Sequence, residues 1–168
     1  MHSSFKARPP RLPDVQWLDV VRYAPLISID LIVTNTHGSV LLGLRRNEPA
    51  RNYWFVPGGV VRKGESLDDA FARIAQAELG IAAQRDSAEW IGVYQHFYAT
   101  NFAEVADVST HYVVLAHRLI LAHLPTRPGD SQHSELRTFT VPELLKNSEV
   151  HLYTKQYFRG WERVHSLP

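Results

Sequence analysis

The chain is predicted to fold as an α/β protein, a sandwich of helices around a mixed sheet. Three observations predict it. Short β-rich runs recur along the chain, among them "LISIDLIV", "SVLLGL", "WIGVYQHFY" and "THYVVLAHRLIL". Between them lies one long segment with helical periodicity, "ESLDDAFARIAQAELG". Further helical patterns follow the last strands instead of alternating with every one. At 168 residues and 45% hydrophobic content the chain can bury one good core but is short for two, so a single domain over 14–168 is expected. The first 13 residues hold Pro9, Pro10 and Pro13 and little apolar periodicity, and read as a flexible N-terminal arm.

In chain order, Leu26 to Val33 is nearly all apolar and reads as a strand. "NTHG" is a turn in which Gly38 suits positive φ, and "SVLLGL" returns as the second hairpin strand. Asp30 sits inside the first strand, where a carboxylate is at a strand end, paired with a neighbouring arginine, or functional. "YWFVPGG" is an extended stretch ending on two glycines. The helix after it has Ser66 as N-cap with Asp69 three residues on, Asp68 and Asp69 at the positive end of the dipole, and Gly80 as its stop. Leu67, Ala70, Phe71, Ile74 and Ala77 form its apolar stripe, and Glu78 lies on the edge of that stripe. Glu78 is therefore protonated, salt-bridged or bound to a cation. Arg73 is off that row and suits the loop acid Glu65. Two long strands follow, then a short one near "RTFTV" and helices at "PELLKN" and around Tyr153 to Val164.

Composition excludes several classes. The formal net charge of +1 supplies no general field for nucleic acid or acidic membranes. No apolar run approaches the roughly 18 residues of a membrane span, and "MHSSFKARPP" lacks the apolar centre of a secretory signal, so a cytoplasmic location is expected. With no cysteine, a metal must be held by oxygen or histidine ligands, which favours a hard cation such as magnesium.

The spacing Gly59, Glu65, Arg73, Glu78, Gly80 and Ile81 resembles the Nudix box, the loop–helix–loop of hydrolases that act on a nucleoside diphosphate linked to another group. The resemblance implies a Nudix-type α/β/α sandwich. Where the usual box has further glutamates, "RIAQAELGI" has Ile74 and Ala77. This reduced box is similar to that of the GDP-mannose mannosyl hydrolase branch, whose members attack the sugar carbon. "VVRYAPLISIDLIV", "LLGLRRNEPA", "YWFVPGG", "GVYQHFY", "THYVVL" and the "QH" of Gln132 and His133 resemble that branch as well, from about Leu12 to about Tyr157.

The resemblance implies a magnesium ion, with manganese as a substitute, held by the Gly58 carbonyl, Glu78 and Gln132. It implies His133 as general base, Asp30 and His96 on the sugar side, and Arg45 and Tyr112 on the diphosphate. Arg73 belongs to the catalytic box. Leu12 and Trp17 occupy positions near the nucleotide in a homodimer, Trp17 either stacking on guanine or packing in the core. Read without the resemblance, His96 and Tyr112 are hydrogen-bonded core side chains, and His133 lies in a polar, exposed loop. One departure is Val60, where the branch has an arginine; Arg46, Arg51 or Arg62 could supply the missing charge. The implied reaction is magnesium-dependent hydrolysis of a GDP-sugar to GDP and free hexose, with inversion. The alternatives are an ordinary Nudix pyrophosphatase and a silent nucleotide-sugar binder.

Overall fold

The computed structural model describes residues 12–127 and 133–159; the expected N-terminal arm before Leu12, Gln132, and the end of the expected last helix lie outside them. Helix α1 (Asp14–Tyr23) comes first, an element the sequence reading left unassigned. Its Trp17, Leu18, Val20 and Val21 pack against Leu26 and Val108, so the spacing of these residues was its signal.

Strand β1 (Leu26–Asn35) is the centre of the sheet. One edge pairs in parallel along its full length with β6 (Thr110–Leu121). The other edge is shared. Antiparallel β4 (Gly58–Val60) meets Ser28 to Asp30, while antiparallel β2 (Val40–Arg45) joins at Thr34. Beyond β2 lie β3 (Trp54–Phe55) and β7 (His133–Phe139), and beyond β6 lies β5 (Glu89–Tyr98). One parallel pair among antiparallel ones makes the sheet mixed, as predicted.

Side-chain alternation along β1 sorts the layers. Ile29, Leu31 and Val33 meet Phe71, Ile74 and Leu79 of α2 (Leu67–Leu79) on one face. Ile32 joins Trp54, Phe139, Leu144 and Phe158 on the other, where α3 (Val141–Lys146) and α4 (Leu152–Gln156) belong. The result is the α/β/α sandwich. Asp30 has the parity of Ile32 and so points away from α2.

Local signals hold at the ends of α2. Ser66 Oγ accepts from Asp69 N at 3.1 Å, and Gly80 closes the helix at φ 68°. The apolar stripe is rotated from the expected one. Leu67 is 38% exposed and Ala77 is exposed, while Ala75 and Leu79 are buried. The face is centred by its bulkiest apolar side chains, Phe71, Ile74 and Leu79, so Glu78 falls inside it and not at its edge.

Three further boundaries differ. "YWFVPGG" is two short strands broken at Val56 and Pro57, whose carbonyl accepts from Leu31 N. The short strand expected near "RTFTV" begins already at His133, because β2 offers it a partner, Arg45 opposite His133. Its expected end, Val141, instead opens α3 behind a capping box of Thr140 and Glu143.

Candidate active site

A cavity of about 500 Å³ opens on the α4 side of the sheet, where the shared edge of β1 divides. Asp30, Arg45, Gly58, His96, Tyr112 and Trp17 all line it. The pairing explains much of this. Asp30 stands opposite Gly58, and His96 stands opposite Tyr112, so strand register alone brings four of the predicted residues to one wall. Gly58 has to be glycine here, because a Cβ would lie 2.6 Å from Asp30 Oδ1.

Asp30 is 7% exposed. Its partner among the described residues is a phenol and not the anticipated guanidinium: Tyr157 donates to Asp30 Oδ2 at 2.7 Å. Burial pushes the carboxyl up to about 7, against the pull of the Tyr157 hydrogen bond and of Arg45, and with a further push from the charge of Glu78. Arg45 is itself steadied by donation from Nε to the Pro49 carbonyl at 3.0 Å. His96 stacks on Tyr153 at 4.2 Å, and burial, with a smaller contribution from His151, lowers its pKa to about 3, so it is neutral. Burial raises Tyr112 above the ordinary phenol value, which keeps its hydroxyl a donor.

Glu78 and His133 form a second group. His133 is 2% exposed, not the exposed loop residue of the bare sequence reading, and its Nδ1 is 3.2 Å from Glu78 Oε2. Neither residue lines the cavity, yet Asp30 feels the charge of Glu78. A buried carboxylate whose charge is felt by a second buried acid suits a divalent cation, and the donors are oxygens. The expected ligands fit such an ion in kind: Gly58 offers a carbonyl opposite Asp30, Glu78 offers a carboxylate, and Gln132 lies outside the described residues. Among the described residues no group of three His, Cys, Asp or Glu side chains converges.

Arg73 binds no open space. Its Nε and Nη2 grip Glu65 at 2.7 and 2.8 Å, and Nη2 also donates to the Val60 carbonyl at 2.8 Å. It ties the glycine loop to α2. Val60 packs against the α1 cluster and lines the cavity, while Arg46, Arg51 and Arg62 are exposed and do not. Leu12 is 40% exposed ahead of α1 and is not among the lining residues. Sequence reasoning missed Tyr157 and Gln156; the one signal for them was an amphipathic tyrosine pair, Tyr153 and Tyr157, at helical spacing.

Fold and site together define a loop–helix–loop protein of the α/β/α sandwich class, with a buried acid on the helix beside a polar cavity. The chain belongs to the Nudix hydrolase family: the NUDIX domain profile matches residues 24–159. It is 42% identical over 147 residues to the low-salt glycan biosynthesis protein Agl8 of Haloferax volcanii, a match covering 88% of each chain. Its fold resembles the MutT protein from Methanosarcina mazei Go1, with a TM-score of 0.65, 20% identity, and 85% of this chain and 97% of that one covered. It also resembles the NUDIX domain of Shewanella oneidensis NrtR, solved with ADP ribose, with a TM-score of 0.62, 17% identity and 91% and 99% coverage. No helix among the described residues is long and apolar enough to cross a membrane.

Proposed function

We propose that the protein hydrolyses a GDP-sugar of the GDP-mannose type to GDP and free hexose by attack of water on the anomeric carbon. The observation that carries this reading is Ile74. Where a richer box holds an acid, Ile74 is 1% exposed and packed beneath Gly59, whose Cβ would lie 3.1 Å from Ile74 Cγ1. Ala77, the other substituted position, faces solvent. Helix α2 therefore offers the interior one carboxylate, Glu78, too few to assemble several metals for attack on phosphorus. The glycan biosynthesis name of the 42% identical relative accords with a sugar-bearing substrate.

In this reading Arg45 and Tyr112 donate to the diphosphate, Arg45 with the two-pronged geometry phosphate favours. Asp30 faces the anomeric carbon, where an anion stabilises developing positive charge. His96, neutral, contacts the sugar, and Trp17 and Leu12 serve the nucleotide. A carboxylate 3.2 Å from His133 Nδ1 favours the tautomer with its proton there, which leaves the Nε2 lone pair to accept a proton from water. Magnesium, or manganese in its place, would be held by the Gly58 carbonyl, Glu78 and Gln132 and would neutralise the leaving diphosphate. A single cytoplasmic domain that pairs as a homodimer belongs to the same proposal.

Hydrolysis of a GDP-hexose in oxygen-18 water tests it. Label is expected in the hexose and not in GDP, with inversion, and His133→Ala is expected to slow turnover by about 10² to 10⁴. Label in a phosphate, or release of GMP and sugar phosphate, would replace this reading with that of a pyrophosphatase.

A further inference from the structure

The site residues of β1 and β5 are not held by the sheet alone. At the end of α4, Tyr157 donates to Asp30 Oδ2 at 2.7 Å, and its oxygen also lies 3.2 Å from His96 Nε2. Gln156 Nε2 is 2.9 Å from the same ring nitrogen. We propose that the Gln156–Tyr157 pair is a positioning device that sets the orientation of the Asp30 carboxylate and the His96 ring towards the sugar of the substrate.

Geometry supports the assignment. Asp30 Oδ2 is taken by the phenol, and Oδ1 faces the space left by the missing side chain of Gly58. A carboxylate pinned at one oxygen and confined at the other cannot rotate freely. Tyr157 has one proton, and the shorter contact, to Asp30, takes it. The phenol is held well above its ordinary pKa, first by burial and then by the charge of Asp30, so it stays a donor. The ring is independently seated, edge-on to Tyr94 at 4.7 Å, so removing the hydroxyl leaves the packing in place. Because Gln156 and Tyr157 are adjacent, β1 and β5 are tied to one point, and Asp30 and His96 are held as a unit.

This inference rests on the proposed roles of Asp30 and His96, and its test separates the two. The kcat and KM of Tyr157→Phe, Asp30→Asn and the double variant are measured on a GDP-hexose. Tyr157→Phe is expected to lower kcat about tenfold with KM within twofold, and to have no further effect in the Asp30→Asn background. An unchanged kcat, or the same fold-loss in both backgrounds, would make Tyr157 a packing residue only. If Tyr157→Phe does not fold, Gln156→Met with His96→Asn forms the same cycle and decides in the same way. Oxygen-18 products of the unmutated enzyme report separately on the bond broken, so coupling with label in phosphate would retain the positioning device and reject the anomeric mechanism. If no nucleotide sugar turns over, the crystal structure of Tyr157→Phe replaces kcat: a turned Asp30 carboxylate is expected, and unchanged Asp30 and His96 orientations would overturn the proposal.

Discussion

Gly43 shows how one missing side chain can build a site. A Cβ there would sit 2.3 Å from His133 Cδ2 and 2.6 Å from Cγ, so the imidazole lies directly on the backbone of β2. No rotamer change at position 43 relieves a Cβ clash; the ring itself must move. Gly43→Ala is expected to cost about 1 to 3 kcal/mol of stability through overpacking. It should also lower turnover on the order of 100-fold, because a misplacement of about 1 Å at a reacting group has that effect. Urea denaturation and steady-state kinetics on the same variant check both. Lost stability with intact turnover would show that the His133 seat is not needed for the chemistry.

Among the elements, the glycine loop and α2 act as one piece because of a buried ion pair. The Glu65 side chain is fully buried and accepts from both Arg73 nitrogens, and its Oε2 also accepts from Arg62 N at 2.9 Å. Arg73 in turn holds the Val60 carbonyl, which sets the path of β4 past Asp30. Arg73→Met would leave Glu65 buried without its charge partner, a loss of about 3 to 5 kcal/mol. Replacing both, with Glu65→Leu added, is expected to recover a large part of that loss, since two apolar groups leave no buried charge. Chemical denaturation of the two variants distinguishes this from simple packing, which would make the double variant worse than the single.

Across the whole molecule, the titratable groups that burial shifts, at the cavity wall and beside it, together set the response to pH. Burial lowers His96 from 6.5 to about 3, and burial followed by the charge of Arg45 lowers His151 from 6.5 to about 4. Both are neutral when folded and free to gain a proton when unfolded. Their contribution is therefore present above the unfolded value of 6.5 and is lost as pH falls towards the folded values. Asp30 acts in the opposite sense, since its raised pKa favours the folded state below the unfolded value of 3.8 and is lost as pH rises through about 7. Two histidines outweigh one carboxyl between these limits, so the melting temperature is expected to fall as pH drops from about 6.5 to 4. In His96→Gln the decline should be shallower in calorimetry; an identical slope would show that His96 is not a source of acid sensitivity.

Features that neighbours along the chain control were legible before any folding was considered. The Ser66 cap, the Gly38 and Gly80 conformations and the apolar run of β1 each depend on a few adjacent residues, and each is found as read. The Arg73–Glu65 pair was legible too, because helix and loop lie only eight residues apart. Tertiary structure decided the rest. The rotation of α2 followed from which large side chains could meet β1, and it carried Glu78 into the interior. His133 became a buried strand residue because β2 offered an edge and Gly43 a space for its ring. Tyr157 reaches Asp30 across 127 positions of chain, and no periodicity or spacing encodes such a contact. It exists because the sandwich closes α4 over the same sheet face that strand register had already loaded with Asp30, His96 and Tyr112.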